Sequence, residues 1–454
     1  MKITEKVLEI YRDYSICPHC LGRMFSLLAT NTTNFERGNS ILLTITMQLH
    51  KDYLSQAKNE FDPIIANLKN LAERAKYDPA RNVLENEGLD FSDQNEMDKC
   101  YLCQDIFSNL NIYVESAIKE LEKYEYENLL VGTNLSAEIV NREDIFKANY
   151  EILESESFKS HFNREAGKIL TQKVQKPTEF NNPDITVIFS LNYDSFSIDL
   201  LIRSLFVYGK YQKLKRGIPQ THWDCRKCHG SGCEACNYTG KQYPTSVEEL
   251  ISPKFKEASK STTSKFHGAG REDIDVRMLG NGRPFILELK NPIIRHLDLK
   301  KLKKYVNRKN RKTIKIEDLR YSSKVEVKQV KFKAEKVKKQ YLALVESPNL
   351  AFSKEEFLLF QKKIADQIIG KTIHQKTPLR VFHRRADKIR EKKIYNVQGT
   401  FLKPSIFKFL IETQGGTYIK ELINGDQGRT RPSFSEIFGT PLNCKELDVI
   451  NIGL

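Results

Sequence analysis

Eight of the nine cysteines in this 454-residue chain fall into four Cys-x-x-Cys pairs, Cys17/Cys20, Cys100/Cys103, Cys225/Cys228 and Cys233/Cys236, with Cys444 alone. Two such knuckles clamp one tetrahedral ion, and in doing so they dictate which distant segments must meet. A large chain with this pairing and no signal-peptide core after Met1-Lys2-Ile3 is expected to be cytoplasmic, where structural zinc is favoured over disulfides. A redox dithiol needs only one pair. Cys17, Cys20, Cys100 and Cys103 are expected to share one zinc ion and staple a small domain together. Cys225, Cys228, Cys233 and Cys236 form a second candidate set, with only four residues between its pairs. For this set, reduced thiols or pairing elsewhere are the alternatives. Four thiolates leave no open position for water, so the role expected of the metal is structural.

Charge divides the chain as sharply as the cysteines do. Residues 251–454 hold 44 Lys/Arg against 22 Asp/Glu, whereas residues 1–250 hold 29 against 36. The densest part, 291–340, has 18 basic and 5 acidic side chains. A basic half of this kind points to a polyanionic partner, most simply RNA or DNA. Runs such as Ile41-Leu42-Leu43 are far too short to span a bilayer, so no membrane is expected.

Periodicity predicts helices over 2–14, 38–75, 115–125, 142–172 and 353–369, with a polar, turn-rich stretch over 78–98. It predicts strands at 129–133, 184–189, 197–202, 325–330, 341–345, 388–397 and 405–412. Ile274, Val276 and Met278 alternate with Asp273, Asp275 and Arg277. Gly280-Asn281-Gly282-Arg283-Pro284 reads as a turn and Phe285–Lys290 as the second arm of a hairpin. The fold class expected is α+β, with an N-terminal α/β zinc domain over 1–245 and a C-terminal domain over 246–454 built on a mixed, largely antiparallel sheet. Gly268-x-Gly270 lacks the Lys-Ser/Thr of a phosphate loop, which argues against nucleotide hydrolysis.

Three elements of the basic half make a coherent set for work on a nucleobase. They are the Gly270-Arg271-Glu272-Asp273 turn, Tyr341 at the start of a strand, and Gly416-Thr417-Tyr418-Ile419-Lys420 entering a helix. A carboxylate attacks, an aromatic ring stacks, and a cation keeps the carboxylate ionised. Aromatics interleaved with Lys210, Lys213, Lys215 and Arg216 suit a nucleic-acid backbone.

On these motifs the chain resembles the archaeal and eukaryotic tRNA pseudouridine synthases of the Pus-ten family. Gly270–Asp273, within the run Ala269–Gly280, is similar to that family's Gly-Arg-x-Asp turn. Tyr341 and the Tyr418/Lys420 segment are similar to its active-site tyrosine and its tyrosine–basic motif. Gln375–Val381, His383–Asp387 and Gly425–Thr430 resemble further signatures, from which Arg380, Arg384 and Arg385 are assigned to RNA binding. The first cysteine set looks like the family's zinc site, and 184–220 looks like its RNA-binding THUMP region.

The resemblance implies a synthase domain after residue 246 that isomerises uridine in the TΨC arm of tRNA, at positions 54 and 55, with no organic cofactor. Asp273 would attack the flipped nucleotide. Tyr341 would stack on the base and assist proton removal from C5. Lys420 or Arg271 would pair with Asp273, and Tyr418 would contact the substrate. A monomer acting on tRNA is expected. The rival reading is a non-catalytic zinc and THUMP tRNA-binding protein or chaperone, for which the Asp273, Tyr341, Tyr418 and Lys420 cluster has no use.

Overall fold

The computed structural model describes residues 2–55, 62–89, 98–384 and 386–453, apart from the side chains at 62, 333–336, 383 and 384. Arg384 and Arg385 therefore lie outside the described residues as RNA contacts. Two compact units, Met1–Arg203 and Ser204–Leu454, make up the chain.

In the first unit α1 (Ile3–Asp13), α2 (Pro18–Met24), α3 (Asn34–Ser55), α4 (Asp62–Arg74), α5 (Asp78–Asn86) and α6 (Leu110–Leu121) precede a small sheet. Helix α1 buries Val7, Ile10 and Tyr11, one turn apart on one face. The stretch expected to be turn-rich contains α5, because Pro79 starts a helix well and Ala80 and Leu84 bury one side of it. After α6 come β1 (Leu129–Leu135), α7 (Ala137–Asn149), α8 (Phe158–Val174), β2 (Ile185–Leu191) and β3 (Phe196–Ile202). Strand β2 lies between β1, which is parallel to it, and β3, which is antiparallel. Ile185, Val187, Phe189 and Leu191 of β2 are buried, as are Phe158, Phe162, Ala166 and Leu170 of α8. Phe162 meets Phe189 edge-on at 5.3 Å. Each large side chain so buried contributes roughly 1.5–3 kcal/mol.

The second unit contains β4 (Leu205–Lys213), α9 (Val247–Ser259), β5 (Thr263–Gly268), β6 (Arg277–Lys290), α10 (Leu299–Lys309), β7 (Ile314–Ser322), α11 (Lys324–Lys336), β8 (Lys338–Glu346), α12 (Lys354–Ile368), β9 (Thr372–Gln375), β10 (Arg390–Lys403), β11 (Ile406–Gln414), α13 (Ile419–Asn424), β12 (Thr430–Arg431), α14 (Phe434–Phe438) and β13 (Asn443–Ile452). Its ten strands run β12-β9-β10-β11-β8-β13-β6-β4-β7, with β5 also on β6. The β13–β6 pair is parallel and the other neighbours are antiparallel. The α+β class and the mixed, largely antiparallel sheet are thus as expected.

Three expectations are corrected. The units divide at 203/204 rather than 245/246, because β4 pairs with both β6 and β7 and so lies inside the second sheet. The cysteines at 225–236 and the Lys210–Arg216 run therefore belong to the second unit. That division also sharpens the charge split, to 51 Lys/Arg against 26 Asp/Glu in the second unit and 22 against 32 in the first. Residues 325–330 form part of helix α11, capped where Ser323 accepts from the Glu326 amide. The alternation of valines there is misleading, since Val325 is 64% exposed while Val327 and Val330, a helical turn apart, are each 9% exposed. Finally, 274–289 is not a hairpin. Gly280–Pro284 sits within the single strand β6, where Gly280 adopts φ +58° and a Cβ would fall 1.8 Å from the Ile450 carbonyl oxygen. That glycine serves a bulge and a close strand approach.

Candidate active site

The turn joining β5 to β6 is anchored by an inward-facing carboxylate. Gly270 takes φ +77°, and a Cβ there would come within 3.2 Å of Arg283 Nη1. Glu272, next but one, is buried. It accepts from the Tyr211 hydroxyl at 2.9 and 3.0 Å and from Arg283 Nε at 2.7 Å, with Lys213 Nζ 3.8 Å away. Arg283 also donates to the Ala269 carbonyl at 2.8 Å, and Gln220 donates to both the Tyr211 hydroxyl and the Gly270 carbonyl. Burial opposes the Arg283 charge, but the Glu272 carboxylate outweighs it and raises the guanidinium pKa. Burial, reinforced by Glu272, pushes the Tyr211 phenol well up. A buried carboxylate persists when so compensated.

Lys213 completes this anchor. Its ammonium is fully buried and donates to the carbonyls of Ile218, Asp273 and Ile274 at 2.8, 3.0 and 3.1 Å. Burial depresses its pKa, and Glu272 opposes that shift. Arg216 donates to the carbonyls of Asp275 and Leu447 and pairs with Glu446 and Asp448. The assignment of Lys213 to an RNA backbone is therefore corrected, because its ammonium is sealed inside, whereas Arg216 braces the turn with its side chain a quarter exposed. Lys210 pairs with Asp318 at 2.9 Å, and Lys215 alone of the four is exposed.

With Glu272 turned inward, Asp273 projects outward with its side chain 34% exposed. Arg380 Nη1 stands 2.9 Å from its carboxylate, while Arg380 Nε holds the buried Glu421 at 2.6 Å. Arg380 is thereby a partner of the carboxylates, and despite burial its pKa is raised by Glu421 and Asp273. Lys420 Nζ lies 3.9 Å from Asp273 and 2.6 Å from Asp275. Burial resists ionisation of Asp275, but Lys420 holds that carboxyl below its ordinary range. The guanidinium of Arg271 lies 5.5 Å over the Trp223 ring.

A cleft of about 700 Å³ opens beside the turn, lined among others by Asp273, Tyr341, Arg380, Tyr418 and Lys420. Tyr341, on β8, is 8% exposed, and burial pushes its phenol up to about 12. It is therefore neutral at ordinary pH, which suits stacking and disfavours a role as proton acceptor. Tyr418 is set by Gln375, whose side-chain amide accepts from the Tyr418 N–H and donates to its carbonyl, both at 2.9 Å. The structure thus gathers Asp273, Tyr341, Tyr418, Lys420 and Arg271 in one unit. Sequence reasoning missed the roles of Glu272, Tyr211, Arg283, Gln220, Glu421 and Gln375. Glu272 and Gln375 stood inside recognised motifs, but nothing in a motif marks a side chain as inward.

Comparison with known proteins bears on this site. The "Pus10, C-terminal" family model matches residues 206–453, and "Pus10 THUMP domain, archaeal" matches 113–190. A protein of Methanocaldococcus jannaschii named tRNA pseudouridine synthase Pus10 is 42% identical over 98% of this chain and 93% of its own length. The chain belongs to the Pus10 family. It is accordingly a pseudouridine synthase, an isomerase. Its Methanothermobacter marburgensis relative of the same name is 38% identical over 99% of this chain and 98% of that one. Likeness to the crystal structure of a Cbf5-Nop10-Gar1 complex is slight, with TM-score 0.29 and 15% identity over 54% of this chain and 49% of that one. The Pus10 THUMP match over 113–190 corrects the expected 184–220, since β4 is a strand of the catalytic sheet.

Both cysteine sets of this Pus10 chain converge, each with its four sulfurs within 4.8 Å of one another. Cys17 and Cys103 Sγ are 3.7 Å apart, and the Cys225/Cys233, Cys228/Cys236 and Cys233/Cys236 pairs are 3.8–3.9 Å apart. Four thiolates each about 2.3 Å from a tetrahedral zinc stand about 3.8 Å from one another. Backbone N–H groups already point at the sulfurs, from Cys17 to Cys100 Sγ and from Gly232 to Cys228 Sγ. The amides of Cys233 and Gly240 hold the Cys236 thiol down at about 6. Both sets fit a metal ion. Among the described residues no helix is long and apolar enough to cross a membrane.

Proposed function

We propose that this synthase isomerises uridine to pseudouridine in the TΨC arm of tRNA, at positions 54 and 55, with Asp273 as nucleophile and no organic cofactor. One observation carries the reading: the Asp273 carboxylate, 2.9 Å from Arg380, stands at the edge of a cleft that it shares with Tyr341 and Tyr418. Asp273 attacks the flipped nucleotide at sugar or base and the C1′–N1 bond breaks. The uracil turns, C5 bonds to C1′, and N1 gains a proton as C5 loses one. Atoms and electrons balance within the substrate, so no redox partner is required. Arg380 and Lys420 flank the Asp273 carboxylate, Tyr341 and Tyr418 supply aromatic surface for the base, and Arg271 reaches the flanking strand. Incubating the protein with unmodified tRNA transcript and mapping at single-nucleotide resolution should find pseudouridine at 54 and 55. A transcript left unchanged at both overturns the assignment.

The tRNA is held chiefly by the basic unit. Lys300, Lys304 and Arg308 form an exposed row along α10, four residues apart. Removing one cation that neutralises a phosphate lowers the salt slope of log K by roughly 0.7–0.9. Changing all three to glutamate should therefore flatten the slope by about two units and weaken binding, as filter binding across a salt series would read. An unchanged slope would leave α10 as ordinary solvated surface.

Each cysteine set holds a structural zinc ion. Protein purified without added metal should carry close to two equivalents of zinc by elemental analysis. Replacing Cys100 and Cys103 by serine should remove one. A value near zero, with all nine thiols titrating freely, would rule the ions out.

A further inference from the structure

A second cavity, of about 230 Å³, adjoins the catalytic turn. Arg271, Glu272, Asp273, Arg380 and Lys420 line both cavities, so the turn is the wall between them. Among the five residues that line the smaller one and not the larger is Trp223, the only tryptophan in the chain. We infer that this cavity receives the base of a nucleotide flanking the target uridine, stacked on Trp223. The inference rests on the reading of the larger cleft as the seat of the flipped uridine.

Four observations carry it. The cavity is smaller than the roughly 300 Å³ at which drug-sized pockets begin, which suits one planar ring. Its lining holds the Trp223 indole, with the Arg271 guanidinium 5.5 Å over the ring, and the guanidinium of Arg380, and both kinds of group stack on unpaired bases. A base reaches the indole face by taking the place of the Arg271 guanidinium. The ring is also built in rather than trailing. The Trp223 backbone carbonyl accepts from the Gln242 N–H, Cys225 N–H bonds the Gly240 carbonyl, and Tyr243 meets the indole edge-on at 79°. Those bonds make the second cysteine cluster the mount for Trp223, a use that its place beside the catalytic turn otherwise lacks. Lastly, a strand whose uridine occupies the larger cleft must pass the turn to continue, and the shared wall puts the neighbouring nucleotide at the smaller cavity.

A lone tryptophan makes the test direct. Full-length Asp273→Asn protein is titrated with unmodified tRNA transcript while tryptophan emission and filter binding are followed together. Intact transcript should quench the emission. Of two transcripts made abasic at the nucleotide on one or the other side of the target, one should still bind yet fail to quench. In the otherwise native protein, Trp223→Ala should raise KM roughly ten- to a hundredfold, as removal of one base-stacking ring does, with kcat falling less. Trp223→Phe should restore most of the affinity. Binding without quenching, quenching insensitive to both abasic sites, or an unchanged KM for Trp223→Ala overturns this inference alone. Failure of every transcript to bind overturns the reading of the larger cleft with it. Emission reports stacking rather than turnover, so the result stands whichever carboxylate attacks.

Discussion

Asp273→Asn should lower isomerisation by at least about a thousandfold, the scale on which loss of a nucleophile falls, while leaving fold and tRNA affinity close to wild type. The neighbours explain why the fold tolerates it. Arg380 keeps its ion pair with Glu421, and Lys420 keeps Asp275 at 2.6 Å, so neither cation is stranded. Asparagine still offers an oxygen to Arg380, and a side chain one-third exposed contributes little to stability through charge alone. One carboxylate more or less hardly alters the attraction of a unit with 51 basic residues for a polyanion. Single-turnover conversion of transcript, read with thermal unfolding and filter binding, separates these effects. Turnover near wild type would move the nucleophile elsewhere, with Asp275 first in line.

The second large effect belongs to a residue that never touches substrate. Lys213→Met should cost roughly 3–5 kcal/mol of stability, the scale for removing one partner of a buried charge pair, and should cut kcat by about a hundredfold. Methionine matches much of the lysine's length but withdraws the ammonium's bonds to three carbonyls, leaving those of Asp273 and Ile274 with the backbone donors Val276 and Gly217 alone. It also removes a cation 3.8 Å from Glu272, so that the pairing with Arg283 must hold the buried carboxylate. Two of the three carbonyls belong to Asp273 and Ile274, so the backbone that positions the Asp273 carboxylate loosens. A displacement near 1 Å at a reacting group costs about a hundredfold. Lys215→Glu, two residues on and exposed, provides the contrast: it should weaken binding slightly and spare kcat. Urea unfolding with single-turnover kinetics measures both variants. Wild-type stability and rate in Lys213→Met would mean that the turn is held without its ammonium.

That contrast marks the limit of what the chain discloses before it folds. Local chemistry is enough to pair the cysteines, because a Cys-x-x-Cys knuckle carries its geometry within four residues. It is enough to pick out Gly270–Asp273, Tyr341 and Tyr418–Lys420, and the long segments whose apolar period is unambiguous, such as α1 and α12. Burial decided the rest, and burial is a property of neighbours distant in sequence. Lys213 and Lys215 read alike in a basic run, yet β4 turns one ammonium onto the backbone of a turn about sixty residues away and leaves the other in solvent. The motif around Arg380 suggests an RNA contact, and only the fold shows that its guanidinium also stands between Asp273 and Glu421. Val325 and Val327 alternate as a strand would, but Ser323 caps a helix there and packing selects Val327 with Val330. Glu272 sits beside Asp273 in the motif, and only the closure of β4, β5 and β6 around it decides that one carboxylate is sealed inward while its neighbour faces the cleft.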